Sequence, residues 1–142
     1  MVFHLGVGFM AMILSMAIHF VATIFIVSSV RKVHHVLIKS PYIFIFLVLV
    51  LINTVLFITH LTGVSIWASL YVYLGAVDNF ADAFYSSFIM NTTLGLGDIA
   101  QDAGTRLLAP LTATSGIMMI GWSTAVFVYV IQTYLPHIAR SE

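Results

Sequence analysis

Three stretches, residues 3–30, 42–73 and 106–135, are so poor in charge that water is excluded as their solvent. All 142 residues together hold five basic and five acidic side chains, 7% of the chain, against 61% hydrophobic residues. A soluble domain carries about a quarter charged residues. A helix of ~20 apolar residues crosses the hydrocarbon of a bilayer, and each of the three stretches is longer. The chain therefore reads as an all-α membrane protein with three transmembrane helices and no separate soluble domain. A net charge of +0 gives no electrostatic case for nucleic acid. With Cys 0, disulfides, thiolate metal sites and a cysteine nucleophile are excluded. The first stretch lacks a basic leader and a small-residue cleavage site, so it is expected to remain as a helix.

Punctuation divides the chain further. An N-terminal helix over 1–30 carries His4 and His19 and ends in the basic segment 31–41, with Arg31, Lys32, His34, His35 and Lys39. The positive-inside rule makes this segment cytoplasmic and leaves the N-terminus outside; the same charges also suit anionic lipid head groups. The remainder, 42–142, begins with an outer helix over 42–75. Ser40 is placed to cap it and Pro41 suits its first turn. Trp67, Tyr71 and Tyr73 are expected at the outer interface as an aromatic belt, and Gly75 as the helix end. A last helix over 106–135 contains Pro110, Gly116 and Gly121. Pro136, His137 and Arg140 return the C-terminus to the cytoplasm, with Arg106 the one basic residue on the outer side.

Between these helices, Asp78 or Asn79 can cap a helix over 80–92 of about 13 residues, ~20 Å long and too short to span. It runs into Thr92-Thr93-Leu94-Gly95-Leu96-Gly97-Asp98. Gly95 and Gly97 take positive φ at little cost. Backbone that alternates hand points successive carbonyls to one side, and a ring of such carbonyls replaces the hydration shell of a small cation. Thr93 adds a hydroxyl at the inner end. Extended backbone at membrane depth needs protein around it or a water-filled cavity beside it. Three spans are too few to supply either, so several copies around an axis are expected. Asp78, Asp82, Asp98 and Asp102 all fall near this loop and would raise the local concentration of cations, although they are also simply the residues that touch water. Asp98 reads as support for the loop. The C-terminal end of the short helix adds partial negative charge facing the axis.

The stretch Ala83–Thr93 followed by Leu94-Gly95-Leu96-Gly97-Asp98 resembles the pore helix and selectivity filter of potassium channels, whose usual filter is Thr-Thr-Val-Gly-Tyr-Gly-Asp. Gly116 and Gly121, ten and fifteen residues after Arg106, and Gly121-Trp122-Ser123-Thr124-Ala125 resemble the inner helix of that family. His60, Trp67-Ala68, Gly75 and Phe80 fit the same pattern. The resemblance covers the last ninety or so residues. It implies a re-entrant pore helix (80–92), a filter (93–98) and assembly as a homotetramer in a bacterial inner membrane. It implies potassium at the carbonyls of Thr93, Leu94, Gly95, Leu96 and Gly97 and at the Thr93 hydroxyl, with Thr92, Asp98 and Tyr85 supporting the filter and Gly116 or Gly121 as a gating hinge. Permeant monovalent cations and the lipid bilayer are the implied partners. No cofactor is implied, and the chain is not expected to be an enzyme. Leu96 replaces the filter tyrosine and Ser86 the pore-helix tryptophan, so both halves of a known hydrogen bond are missing together. Ile89 stands where some channels bury an acid.

No helix carries arginines at three-residue spacing, so a voltage sensor of that kind is not expected, nor is a soluble ligand-binding domain after Arg140. Gly116 and Gly121 also suit close helix packing without any hinge. Three other functions remain open on the sequence: a non-selective cation channel, a non-conducting accessory subunit, and a membrane haem or redox protein using His4, His19 and His60. The histidines lack a paired ligand spacing.

Overall fold

The computed structural model describes residues 2–34, 41–95 and 105–139. Among these the chain forms four helices and no strand: α1 (Val2–His34), α2 (Pro41–Tyr73), α3 (Phe80–Asn91) and α4 (Leu108–Ala139). Helices α1, α2 and α4 are long and apolar enough to cross a membrane over Val2–Val30, Ile45–Tyr73 and Leu108–Thr133. The 12 residues of α3 are not.

Helix ends follow local chemistry. Helix α1 continues past Val30 to His34, so Arg31 and Lys32 belong to its last turns by backbone. His35, Lys39 and Ser40 lie outside the described residues. Pro41 opens α2, where its missing N–H costs no helical bond. Gly75, with φ +66, stops α2: Ala76 N–H reaches back to the Tyr71 carbonyl at 2.9 Å and Gly75 N–H to Val72 at 3.0 Å. That is a Schellman arrangement, and the glycine carries its left-handed residue. Asn79, extended at ψ 156, caps α3 by accepting from Asp82 N–H at 3.0 Å, and its amide donates to the Asp82 carboxylate at 2.6 Å. Helix α4 starts at Leu108, two residues later than its polar lead-in suggests, after a turn closed by Leu108 N–H to Thr105. Pro110 therefore falls in the first turn, whose N–H groups have no intrahelical acceptor, and removes no backbone bond. Arg140 lies outside the described residues.

Two apolar clusters define the topology. Ala11 of α1 packs with Trp67, Ala68 and Tyr71 of α2, Ala83 of α3 and Leu108 of α4. At the other end, Ile26 and Val30 meet Val48, Ile52 and Leu56 of α2 and Val126 and Val130 of α4. Helices α1 and α4 thus run parallel and α2 antiparallel to both. The beginning of α1 and the short helix α3 share one end of the bundle. Helix α1 contacts α2 and α4 and, among the described residues, not α3.

Trp67 and Tyr71 do not form an interfacial belt: both are fully buried, and only Tyr73 is exposed. The reason is the third dimension of the bundle. Trp67 and Tyr71 lie one turn apart on the α2 face that meets α1, α3 and α4, and the Tyr71 hydroxyl finds Thr112 of α4 at 2.9 Å.

Lipid tails are as apolar as leucine, so covering an apolar side chain with protein gains little transfer energy inside a bilayer; close approach and polar contacts decide helix packing. The α1 stripe facing its neighbours fits that rule. It reads Gly8, Ala11, Ser15, His19 and Ala22 before it turns to Ile26 and Val30. A Cβ on Gly8 would come within 2.7 Å of Leu111 Cδ1 of α4, and one on Gly63 of α2 would lie 3.8 Å from the Ser15 hydroxyl.

Candidate functional site

The site grows from the end of α3. Thr92 closes the helix: its N–H donates to the Phe88 carbonyl at 3.0 Å, and its hydroxyl reaches the carbonyls of Phe88 and Ile89 at 3.0 and 3.1 Å. The next three N–H groups fold back on the same helix end. Thr93 N–H donates to Met90 at 3.0 Å, and Leu94 and Gly95 N–H both point to the Ile89 carbonyl, at 3.0 and 3.5 Å. In a trans peptide the carbonyl points opposite to the N–H across the same plane. The carbonyls of Thr92, Thr93 and Leu94 are therefore turned away from α3, in succession.

The dihedrals explain how. Thr93 has φ +61 and Gly95 φ +51, while Leu94 between them does not have positive φ. Thr93 is the left-handed residue of a Schellman closure of α3; of the two positions where the glycine spacing suggests left-handed backbone, Gly95 has it and Gly97 lies outside the described residues. That a threonine rather than a glycine occupies the first left-handed position is unexpected. A β-branched residue there is strained, and such strain of about 1–3 kcal/mol collects at functional sites. Thr92, Thr93, Leu94 and Gly95 are exposed in the single chain, Leu94 at 64%. Leu96, Gly97, Asp98 and Asp102 lie outside the described residues. Tyr85, also expected to support the filter, is 55% exposed on α3.

Behind the loop, α4 crosses the end of α3 at very close range. A Cβ on Gly116 would overlap the Asn91 carbonyl oxygen and lie 2.6 Å from its carbonyl carbon. Only glycine permits this crossing. Gly116 thus holds the last carbonyl of the short helix against α4, a packing role that a hinge reading alone does not supply. Gly121 differs: a Cβ there meets nothing within 4 Å. The surface that α3 presents to the bundle is mostly small and polar, with Ala83, Ser86, Ser87 and Asn91 buried together with Ile89. Ser86 donates to the Asp82 carbonyl at 2.5 Å, which gives the hydroxyl at the usual tryptophan position a partner within its own helix. Thr112 of α4, bonded to Tyr71 and to the Leu108 carbonyl, completes the support.

Sequence reasoning missed Tyr71–Thr112 and a second polar seam farther down the bundle. The seam's signal was present in the sequence: Ser15, His19 and Thr23 recur at four-residue spacing, and polar residues in spans face protein rather than lipid. In the structure His19 and His60 rings meet edge to face with centroids 4.8 Å apart. His60 Nε2 lies 3.0 Å from the Ser123 hydroxyl, and Trp122 Nε1 donates to Thr23 at 2.9 Å. His4 sits apart, near Phe3 at the start of α1.

Comparison with known proteins covers this same region. The family model described as ion channel matches residues 59–133, from the middle of α2 through α3 and the loop into α4. No curated protein and no solved structure matches the chain. The match spans more than half of the 142 residues and includes every element that positions the loop. With three apolar spans, a short non-spanning helix and this match, the chain is an integral membrane protein and belongs to an ion-channel pore-domain family.

Proposed function

We propose that four copies of the chain form a potassium-selective channel, with ions passing along the carbonyls of residues 93–97. The observation that carries this reading is the backbone at Thr92–Gly95: left-handed residues at Thr93 and Gly95, and the carbonyls of Thr92, Thr93 and Leu94 turned away from the helix end. One chain offers such carbonyls on one side of an ion only. A closed ring of identical chains completes the coordination, and closed symmetry is the usual way homo-oligomers form. Asn91 and Thr92 at the C-terminal end of α3 add partial negative charge toward the axis. Transport of this kind requires no catalytic group and no cofactor beyond the permeant ion.

Charge distribution orients the channel. Arg31 and Lys32 lie in the last turns of α1, at the end where α4 also finishes, and Lys39 and Arg140 follow these two helices in the sequence; the positive-inside rule makes that end cytoplasmic. The start of α1 and the α3 loop then lie on the outer side, with Asp78 and Asp82 at the entrance. Potassium flux from liposomes loaded with potassium and facing sodium tests the reading. A potassium-driven flux blocked by barium supports it. Equal passage of sodium supports a non-selective cation channel, the reading favoured by Leu96 in place of the filter tyrosine.

A further inference from the structure

The match to ion channels begins at residue 59 and leaves α1 unassigned. Helix α1 nevertheless touches the inner helix α4 directly through Thr23 and Trp122, and one turn away His19 reaches Ser123 of α4 by way of the His60 ring of α2. We propose that His19 and His60 form a proton-operated latch that ties α1 to α4, and that protonation at His19 Nε2 releases it and favours opening. This inference rests on the channel reading above.

Hydrogen-bond geometry identifies the atom. His19 Nδ1 lies 3.1 Å from the Ser15 carbonyl, and a carbonyl only accepts, so Nδ1 carries the hydrogen. In the neutral ring Nε2 is then a bare lone pair. It is buried and has no hydrogen-bond partner among the described residues. His19 itself is only 1% exposed. A proton arriving at this nitrogen becomes an N–H with no acceptor, on a cation held in an apolar bundle.

The surroundings offer nothing to neutralise it. No aspartate, glutamate, lysine or arginine occurs within residues 2–30, 41–73 or 108–133, the spans of the three helices that meet here. Facing His19 are the His60 ring from α2 and, through His60, the Ser123 hydroxyl of α4. Tyr71 lies in the opposite cluster, committed to Thr112, and Tyr129 of α4 is 52% exposed. A second proton on His60 would set like charges side by side. Imidazole is the side chain whose ordinary titration range falls between about pH 5 and 8. The charged pair is relieved when α1 moves off and water enters.

Release at His19 reaches α4 by a short path. Thr23 is one turn below His19 on α1, and it receives the Trp122 indole N–H. Ser123, the next residue of α4, is the partner of His60. A displacement of α1 therefore breaks the Trp122 contact directly and takes from the His60 ring, which holds the adjacent Ser123, its packing partner on α1, beside Gly121, where α4 has open space. Neutral rings hold α4 in place; charged rings free it.

The test measures potassium flux from liposomes as pH falls from about 7.5 to about 5, with native protein and with His19→Gln, His60→Gln and the double variant. Glutamine keeps hydrogen-bonding capacity without titrating. The native channel is expected to gain at least about five-fold in open probability, and the double variant to be flat. Thr23→Val, which touches no titratable group, is expected to raise open probability at neutral pH. A flat native profile, or one that persists in the double variant, overturns the proposal. Trp122 emission in a Trp67→Phe chain gives a reading that needs no conduction: it should titrate over the same range and lose that titration with His19→Gln. Liposomes that pass no ion at any pH contradict the channel reading, and in that case an unchanging Trp122 emission overturns the latch separately.

Discussion

At the level of single residues, the two glycines of α4 separate into different roles. Gly116 lies where any Cβ would overlap the Asn91 backbone, and backbone cannot step aside as a flexible side chain does. Overpacking of this kind costs typically ~1–3 kcal/mol. Gly116→Ala is expected to lower the thermal midpoint of the assembled protein and disturb conduction together, because α3 and its loop must move. Gly121→Ala, entering open space, is expected to be neutral or to stabilise α4 by up to ~1 kcal/mol through helix propensity. Differential scanning fluorimetry of the two variants in detergent checks both; equal loss at the two positions would mean that a neighbouring copy fills the space beside Gly121. A third residue-scale expectation concerns Tyr71→Phe. It deletes one hydroxyl while Thr112 keeps its bond to the Leu108 carbonyl, so the loss should be ~0.5–1.5 kcal/mol, and Thr112→Val should not add to it fully in a double-mutant cycle.

Among the elements, α3 is short enough to depend on its cap. Asn79→Ala removes the acceptor for Asp82 N–H and the partner of the Asp82 carboxylate, a loss of ~1 kcal/mol. Hydrogen exchange should quicken at the first turn of α3 and leave α4 unchanged; uniform quickening would mean that α3 and α4 open as one unit. The existence, type and order of all four helices were legible in the sequence because runs of apolar residues broken by Gly75, Asn79 and the polar segment before α4 admit little else. The faces of the long helices were not. Each is apolar all round, so hydrophobic periodicity is weak and cannot say that Trp67 and Tyr71 point inward while Tyr73 points out. Small and polar residues hold that information instead, as Gly8, Ser15, His19 and Thr23 do on α1. While Gly97 lies outside the described residues, the left-handed conformation of Gly95 was legible in the sequence. That Thr93 itself turns left-handed was not, since propensity assigns that conformation to glycine.

For the molecule as a whole, coverage is the decisive quantity. Protein buries only 28%, 22% and 28% of the most apolar windows of α1, α2 and α4, so most of each span must face lipid or other copies of the chain. Residues Thr92–Gly95 are exposed in the single chain, and the carbonyls of Thr92, Thr93 and Leu94 turned away from α3 have no use for lipid, which is the strongest physical pressure toward assembly. Native mass spectrometry in detergent is expected to show a complex of four times the 15.6 kDa chain. A stable monomer would leave the loop without the surroundings its backbone requires. The most direct measurement is the reversal potential of the purified protein in a planar bilayer with potassium on one side and sodium on the other. A backbone-carbonyl filter selective for potassium predicts a reversal potential close to the potassium equilibrium value. A value near zero would show that the loop, with Leu96 in the aromatic position, does not distinguish the two ions.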